Sequence, residues 1–232
     1  MKISIIIPAL NEAENLQKLL PYLKSNTREG LLEEIIVVDG GSSDHTEESI
    51  SKFEKVRCIK SKRGRALQMN AGARAAKGEI LYFVHADSYP PENYGSQIQN
   101  AVKKGHLAGC FRLRFNNKHP LLRASQWFTR FNVPVCRGGD QSLFITKALF
   151  EKMGGYNELY VIYEDNEFTG RLYQNKVRFT VLPDSVITSA RKYEAIGYWK
   201  LQFYFTVIHL KKFMGASPHA LYKYYQRKIA SR

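Results

Sequence analysis

Short, mostly apolar runs recur through the first half of the chain, at Ile3–Ile7, Glu34–Asp39, Val56–Lys60 and Ile80–His85. Stretches with helical periodicity separate them, at Glu12–Ser25, Thr46–Phe53 and Arg65–Ala76. A strand with one wet face alternates apolar and polar residues; these runs do not, as expected of parallel strands buried on both faces. Strands alternating with helices in this way predict an α/β fold built on an open, doubly wound, mainly parallel sheet flanked by helices. The 232 residues suffice for one such domain, or one domain with a short extension.

Open sheets of this type bind ligands outside the carboxyl ends of their strands, so polar, turn-forming residues should follow each run. They do. The first run ends in Pro8-Ala9-Leu10-Asn11-Glu12, the second in Asp39-Gly40-Gly41-Ser42-Ser43-Asp44, and the fourth in His85-Ala86-Asp87. Each cluster has a purely structural reading: Asn11 as a helix cap, Gly40-Gly41 as a tight turn, Asp87 as a cap before Pro90. Three clusters converging on one sheet edge point instead to a ligand site.

The first turn lacks both Gly-x-Gly-x-x-Gly and a Gly-Lys-Ser/Thr ending, which excludes a dinucleotide fingerprint and a phosphate loop. Pro8 has no backbone N–H to offer a pyrophosphate. The turn suits packing against a flat base, with Asp39 accepting from a base N–H. Neutralising phosphate charge then falls to a divalent metal at Asp87 and to Arg65, in the basic run Lys60, Lys62, Arg63, Arg65.

Four segments between residue 3 and about residue 191 resemble family-2 glycosyltransferases, whose fold is of the GT-A type. They are SIIIPALNEAENL, IIVVDGGSSDHT, GRALQMNAGARAAKGEILYFVHAD and YEDNEFTGRL. Together with Gly139-Asp140-Gln141 and TSARKYEAIG, the triplet His85-Ala86-Asp87 is most similar to a small bacterial subgroup that has His-Ala-Asp in place of Asp-x-Asp. The resemblance implies a nucleotide-diphosphosugar donor, an inverting transfer and a divalent Mn²⁺ or Mg²⁺ at Asp87. It places Pro8, Ala9, Glu12 and Asp39 around base and ribose, Arg65 and Asn70 near the nucleotide, and Arg191 at the leaving diphosphate, with Asn11 also in the nucleotide-sugar site. His85, where the first aspartate usually stands, is either a metal ligand acceptable to Mn²⁺ or a hydrogen-bond donor to ribose or phosphate. The same change motivates an alternative, a nucleotide- or glycan-binding protein of this fold without transferase activity.

Glycosyl transfer also needs a carboxylate to take the acceptor's proton. Tyr163-Glu164-Asp165-Asn166-Glu167 supplies candidates at a predicted helix start, where acids are also ordinary dipole partners. Asp165 is the expected base and Glu164 its competitor. Gly138, Gly139, Asp140 and Gln141 are expected on the acceptor side, the double glycine allowing close approach of a sugar or phosphate. Residues 1–190 thus read as the transferase domain, with a donor half to about residue 90 and an acceptor half beyond it.

The net charge of +14 is uneven: from Arg191 to Arg232 nine Lys/Arg stand against the single acid Glu194. This basic, aromatic segment, 191–232, is read as a helical C-terminal extension. Trp199, Phe203, Val207, Leu210 and Met214 share one helical stripe, interrupted by too many charges to span a bilayer. It is expected to pack on the domain and cap the acceptor site, with peripheral contact to anionic lipid as the second reading. The acceptor is accordingly expected to be a sugar, or phosphorylated or lipid-linked. No nucleic-acid recognition motif accompanies the charge, so nucleic acid is not an expected partner. MKISIIIP starts directly on a strand without a signal-peptide pattern, and Cys58, Cys110 and Cys136 show no metal-ligand spacing. Both point to the cytoplasm, at most peripheral to the inner face of the membrane.

Overall fold

A computed structural model describes residues 1–230; Ser231 and Arg232, at the end of the expected extension, lie outside the described residues. The first half follows the reading above: β1 (Ile3–Ala9), α1 (Ala13–Ser25), β2 (Leu32–Asp39), α2 (Thr46–Ile50), β3 (Val56–Lys60), α3 (Arg65–Ala75) and β4 (Ile80–Phe83). The second half contributes β5 (Ser88–Tyr89), α4 (Tyr94–Lys103), β6 (Ala108–Phe115), α5 (Pro120–Phe128), β7 (Leu143–Thr146), α6 (Lys147–Lys152), α7 (Glu164–Gln174) and β8 (Phe179–Thr188). Three helices close the chain: α8 (Arg191–Ile196), α9 (Tyr198–Phe213) and α10 (Pro218–Tyr225).

All eight strands join one sheet in the order β3-β2-β1-β4-β7-β6-β8-β5. The β3-β2-β1-β4 half is parallel, β7 is antiparallel to both β4 and β6, and β6 pairs parallel with β8. β1–β4 thus form one end of the sheet, and β6–β8 extend the other, where β5 (Ser88–Tyr89) also pairs with β8. Pro8 is tolerated within central β1 because β4 pairs only with Ile3–Ile6, leaving that side of β1 unpaired at residue 8.

Both faces are covered, which is why the runs are apolar throughout. Ile3, Ile5 and Ile7 join Leu16, Leu19, Leu20 and Leu23 of α1 on one face, while Ile6 meets Ala66, Met69 and Ala73 of α3 on the other. Each fully buried leucine or isoleucine contributes roughly 1.5–3 kcal/mol. Gly72 sets the closeness of α3: a Cβ there would come within 2.4 Å of the Ile6 side chain.

The extension packs, but not by the expected face. Leu201, Tyr204 and Ile208 of α9 are buried with Leu221, Ile229 and Tyr160. Of the stripe expected to pack, Trp199, Phe203, Leu210 and Met214 are 72%, 63%, 53% and 75% exposed, and Val207 is half-buried. The reason is geometric: α9 starts from a Gly197 turn with Tyr198 stacked 3.8 Å from His119, and that anchor turns the neighbouring stripe inward. Asn117 secures the anchor, donating to the Tyr198 hydroxyl at 2.9 Å and to Glu194 at 2.7 Å.

Candidate active site

A cleft of about 1300 Å³ opens at the carboxyl ends of β1 and β4. The turn after β1, the start of α3, the turn after β4, the 138–141 loop, the start of α7 and the C-terminal helices all line it. The chain thus gathers there Pro8, Ala9, Glu12, Arg65, His85, Asp87, Gly138, Gly139, Asp140, Gln141, Glu164, Asp165 and Arg191.

Three expected donor residues stand outside the lining. Asn70 is buried on α3; its amide donates to the Tyr156 carbonyl and accepts from the Tyr156 N–H, both at 2.9 Å. There it braces α3 against the 154–158 turn. Asn11 is not a helix cap: at φ +55° its side chain accepts from the Ser43 N–H at 2.8 Å, tying the turns after β1 and β2 together. Asp39 is 6% exposed, and its carboxylate accepts from both the N–H and the hydroxyl of Ser42. Both Ser42 contacts centre on Oδ1, and Oδ2 has only a longer one, at 3.3 Å from the Ser42 N–H.

Arg191 bridges the two turns at the cleft mouth. One guanidinium nitrogen lies 2.7 Å from Glu12 and 3.4 Å from Asp87. The hydrogen bond to Glu12 holds the Arg191 pKa above its ordinary value. Among the described residues no three His, Cys, Asp or Glu side chains gather as a metal-binding group. Asp87 is nevertheless a carboxylate on the cleft wall. A cation held by one carboxylate and the oxygens of a diphosphate suits that donor set.

Deeper in, His85 Nδ1 lies 3.1 Å from Asp140 Oδ1. Burial works against both charges, but their contact prevails: it raises the His85 pKa, and with Arg65 and Lys192 holds Asp140 at about 2. His85 is 10% exposed at the side chain and Asp140 51%, so cleft solvent still screens the acid. Gly139 also makes room within the site. A Cβ at 139 would meet Asp165 Oδ2 at 2.0 Å and His85 Cε1 at 2.8 Å, so glycine makes room for these two side chains. A Cβ on Gly138 would meet nothing within 4 Å. Buried Arg137 fixes the loop, donating to the carbonyls of Thr129 and Phe131 at 2.7 and 2.5 Å.

The two acids at the start of α7 differ in exposure. The Glu164 side chain is 2% exposed and lies 3.6 Å from Arg65. Burial first, then the neighbouring Asp165 charge, pushes Glu164 up to about 7 against the pull of Arg65. Burial also raises Asp165, opposed by His85 and Arg65, but Asp165 is only partly buried and borders the cleft. Tyr163, at φ +71°, turns the chain so that the two carboxyls enter from one helix end; its hydroxyl lies 3.2 Å from His209 of α9.

Sequence reasoning missed several residues here. Gln68 donates to the carbonyls of Ala9 and Val38, both at 2.8 Å, locking β1 to β2 beside the cleft. Its only signal is a polar residue on the buried face of α3. Phe115, Tyr193, Phe205 and Tyr225 also line the cleft, and their aromatic character alone gave no sign of it.

Comparison with known proteins agrees with this fold. The profile for "Glycosyl transferase family 2" matches residues 4–176. A dolichol-phosphate mannosyltransferase from Pyrococcus furiosus is 34% identical over 111 residues, 45% of this chain and 31% of the relative. An undecaprenyl-phosphate 4-deoxy-4-formamido-L-arabinose transferase from Proteus mirabilis is 26% identical over 200 residues, 82% of this chain and 57% of the relative. The chain spans less than two thirds of the length of these curated relatives. A mannosyltransferase from Pyrobaculum calidifontis, solved with GDP-Man and Mn²⁺, superimposes with a TM-score of 0.69 at 20% identity. That match covers 97% of this chain and 69% of the other, and it shows a shared fold.

Proposed function

Because the chain belongs to glycosyl transferase family 2, we propose that it moves a sugar from a nucleotide-diphosphosugar to an acceptor hydroxyl, inverting the anomeric centre. The observation that carries this reading is the meeting, in one cleft, of Asp87 and Arg191 at the strand-end turns with Asp165 at the start of α7. The nucleoside lies along Pro8 and Ala9, with Asp39 behind the turn. Arg191 exchanges its contacts with Glu12 and Asp87 for the diphosphate, a change favoured by the fit of a guanidinium to phosphate oxygens. A divalent metal at Asp87, when bound, supplies further neutralisation of the leaving diphosphate. The complex of the Pyrobaculum protein with GDP-Man and Mn²⁺ supports that assignment.

Asp165 takes the proton of the attacking hydroxyl. Both acids line the cleft, but Asp165 is the more exposed of the two, whereas Glu164 is buried beside Arg65. General-base assistance is worth about 10²–10⁴-fold. Asp140, held ionised by His85, orients the acceptor hydroxyls. Inversion is the outcome expected when a single carboxylate acts as base and the acceptor attacks the anomeric carbon directly.

The acceptor is proposed to be a sugar, or phosphate-bearing or lipid-linked. Two relatives whose names specify dolichol phosphate and undecaprenyl phosphate support this, as do the basic residues of the C-terminal helices. No helix among the described residues is long and apolar enough to cross a membrane. A membrane contact is therefore proposed as peripheral, through the exposed stripe of α9. The test is product formation from UDP- and GDP-sugars with monosaccharide, sugar-phosphate and polyprenyl-phosphate acceptors, with and without Mn²⁺. Failure of every pair, alongside unaltered melting with all nucleotides, overturns the reading.

A further inference from the structure

A second concavity, of about 280 Å³, lies between β6 and α5. Arg112 and Arg114 of β6 line it, Leu113 borders both this groove and the cleft, and Phe115 borders the cleft. Arg123 of α5 and Arg130 just past its end complete a group of four arginines around Trp127. Among the described residues no ion pair involves any of the four. The acid nearest in sequence to the lining, Asp184, accepts instead from Gln97 at 2.7 Å.

Arg114, Arg123 and Arg130 are exposed, so solvent screens their repulsion, and an anion entering the groove meets several guanidinium groups at once. One donor is already desolvated: Arg112 Nε is buried and has no hydrogen-bond partner. Buried polar groups are nearly always bonded, so this N–H is free to meet an acceptor that enters the groove. Arg130 is held for the purpose, its guanidinium 4.8 Å from the Trp127 ring centre and its Nε donating to the Trp127 carbonyl at 3.0 Å. Guanidinium forks match the oxygens of a phosphate. The neighbouring surface is apolar: Trp127, Phe128 and Phe131 are 47%, 53% and 42% exposed and touch one another edge-on or tilted.

We propose that the groove between β6 and α5 binds a phosphate ester, apart from the catalytic cleft and independently of the donor. The phosphate comes either from a lipid headgroup, with the aromatic rim against the acyl boundary, or from a soluble phosphate compound. The full chain, R123Q/R130Q and R112Q separate these sources through titration with inorganic phosphate and sedimentation with phosphatidylglycerol or phosphatidylcholine vesicles. Arg123 is exposed on α5 and Arg130 exposed just beyond it, so R123Q/R130Q should fold, and retained UDP affinity reports an intact cleft.

In R123Q/R130Q, phosphate or phosphatidylglycerol binding should be roughly tenfold weaker, the loss of about one charge-assisted contact. R112Q should act in the same direction. Binding to phosphatidylglycerol vesicles alone assigns a lipid headgroup, and binding to inorganic phosphate in solution assigns a soluble ester. Both support the site, because only the part lost in the groove variants is scored. The proposal is overturned if the full chain binds neither probe, or if both variants bind as it does. It is also overturned if vesicle binding is lost only in a K223Q/R227Q/K228Q tail variant.

Discussion

A methyl group at residue 139 would collide with both Asp165 and His85, so Gly139→Ala displaces the proposed base without altering its chemistry. Turnover should fall at least about tenfold, with nucleotide affinity unchanged, because shifts near one ångström in reacting groups cost on that order or more. Asp165→Asn should lower turnover by about 10²–10⁴ and leave donor binding intact, since an amide keeps the shape but cannot accept the proton. Single-turnover kinetics beside calorimetry with UDP and GDP decides between the acids. If Glu164→Gln is the crippled variant and Asp165→Asn stays active, their roles must be exchanged. Glu164 carries a second test, through pH. Its folded-state pKa, about 7, exceeds the ordinary 4.5. Its contribution to stability is therefore present below about pH 4.5 and lost as pH rises to about 7. Glu164→Gln removes that loss, so its melting temperature relative to the parent should be higher at pH 8 than at pH 5. An equal difference at both pH values rejects the raised pKa.

At the scale of elements, α9 shows what a sequence stripe can and cannot say. An apolar stripe at helical spacing was legible, but a helix this rich in Trp, Tyr, Phe, Leu and Ile offers more than one. The docking of Tyr198 on His119, far away in sequence, chose the face carrying Leu201, Tyr204 and Ile208. Leu201→Ala should thus cost about 2–5 kcal/mol in denaturant unfolding, whereas Phe203→Ser should change stability by less than about 0.5 kcal/mol. Equal costs would reverse the assignment of faces. Arg191, at the start of α8, couples this extension to the donor turns through Glu12 and Asp87. Arg191→Ala should lower kcat/KM by about 10²–10³ if the guanidinium meets the leaving diphosphate, as removal of one such contact typically does. An unchanged kcat/KM would leave Arg191 only a structural strap.

For the molecule as a whole, the C-terminal helices are a wall of the cleft: Leu201, Phe205 and Tyr225 line it, and α9 and α10 cover Tyr160. Ending the chain at Arg191 should expose that surface and yield insoluble protein, measured as the soluble fraction after expression. A soluble, nucleotide-binding truncation would show the extension to be dispensable for folding. What the sequence determined by itself is the parallel half of the sheet and the strand-end turns, because burial on both faces and turn chemistry are local signals. The order in which β6, β7 and β8 extend the sheet was not legible, nor was the inward face of α9. Both depend on contacts between residues remote in sequence, such as Ala190 N–H with Asn116 and Tyr198 with His119. The same distinction divides the candidate site. The residues after β1 and β4 could be named because strand ends carry ligands. The diversion of Asn70 to Tyr156, the hold of Ser42 on Asp39 and the room that Gly139 makes for Asp165 were decided only in three dimensions. A side chain's hydrogen-bonding capacity goes to whichever partner packing brings nearest, and spacing along the chain carries no record of that choice.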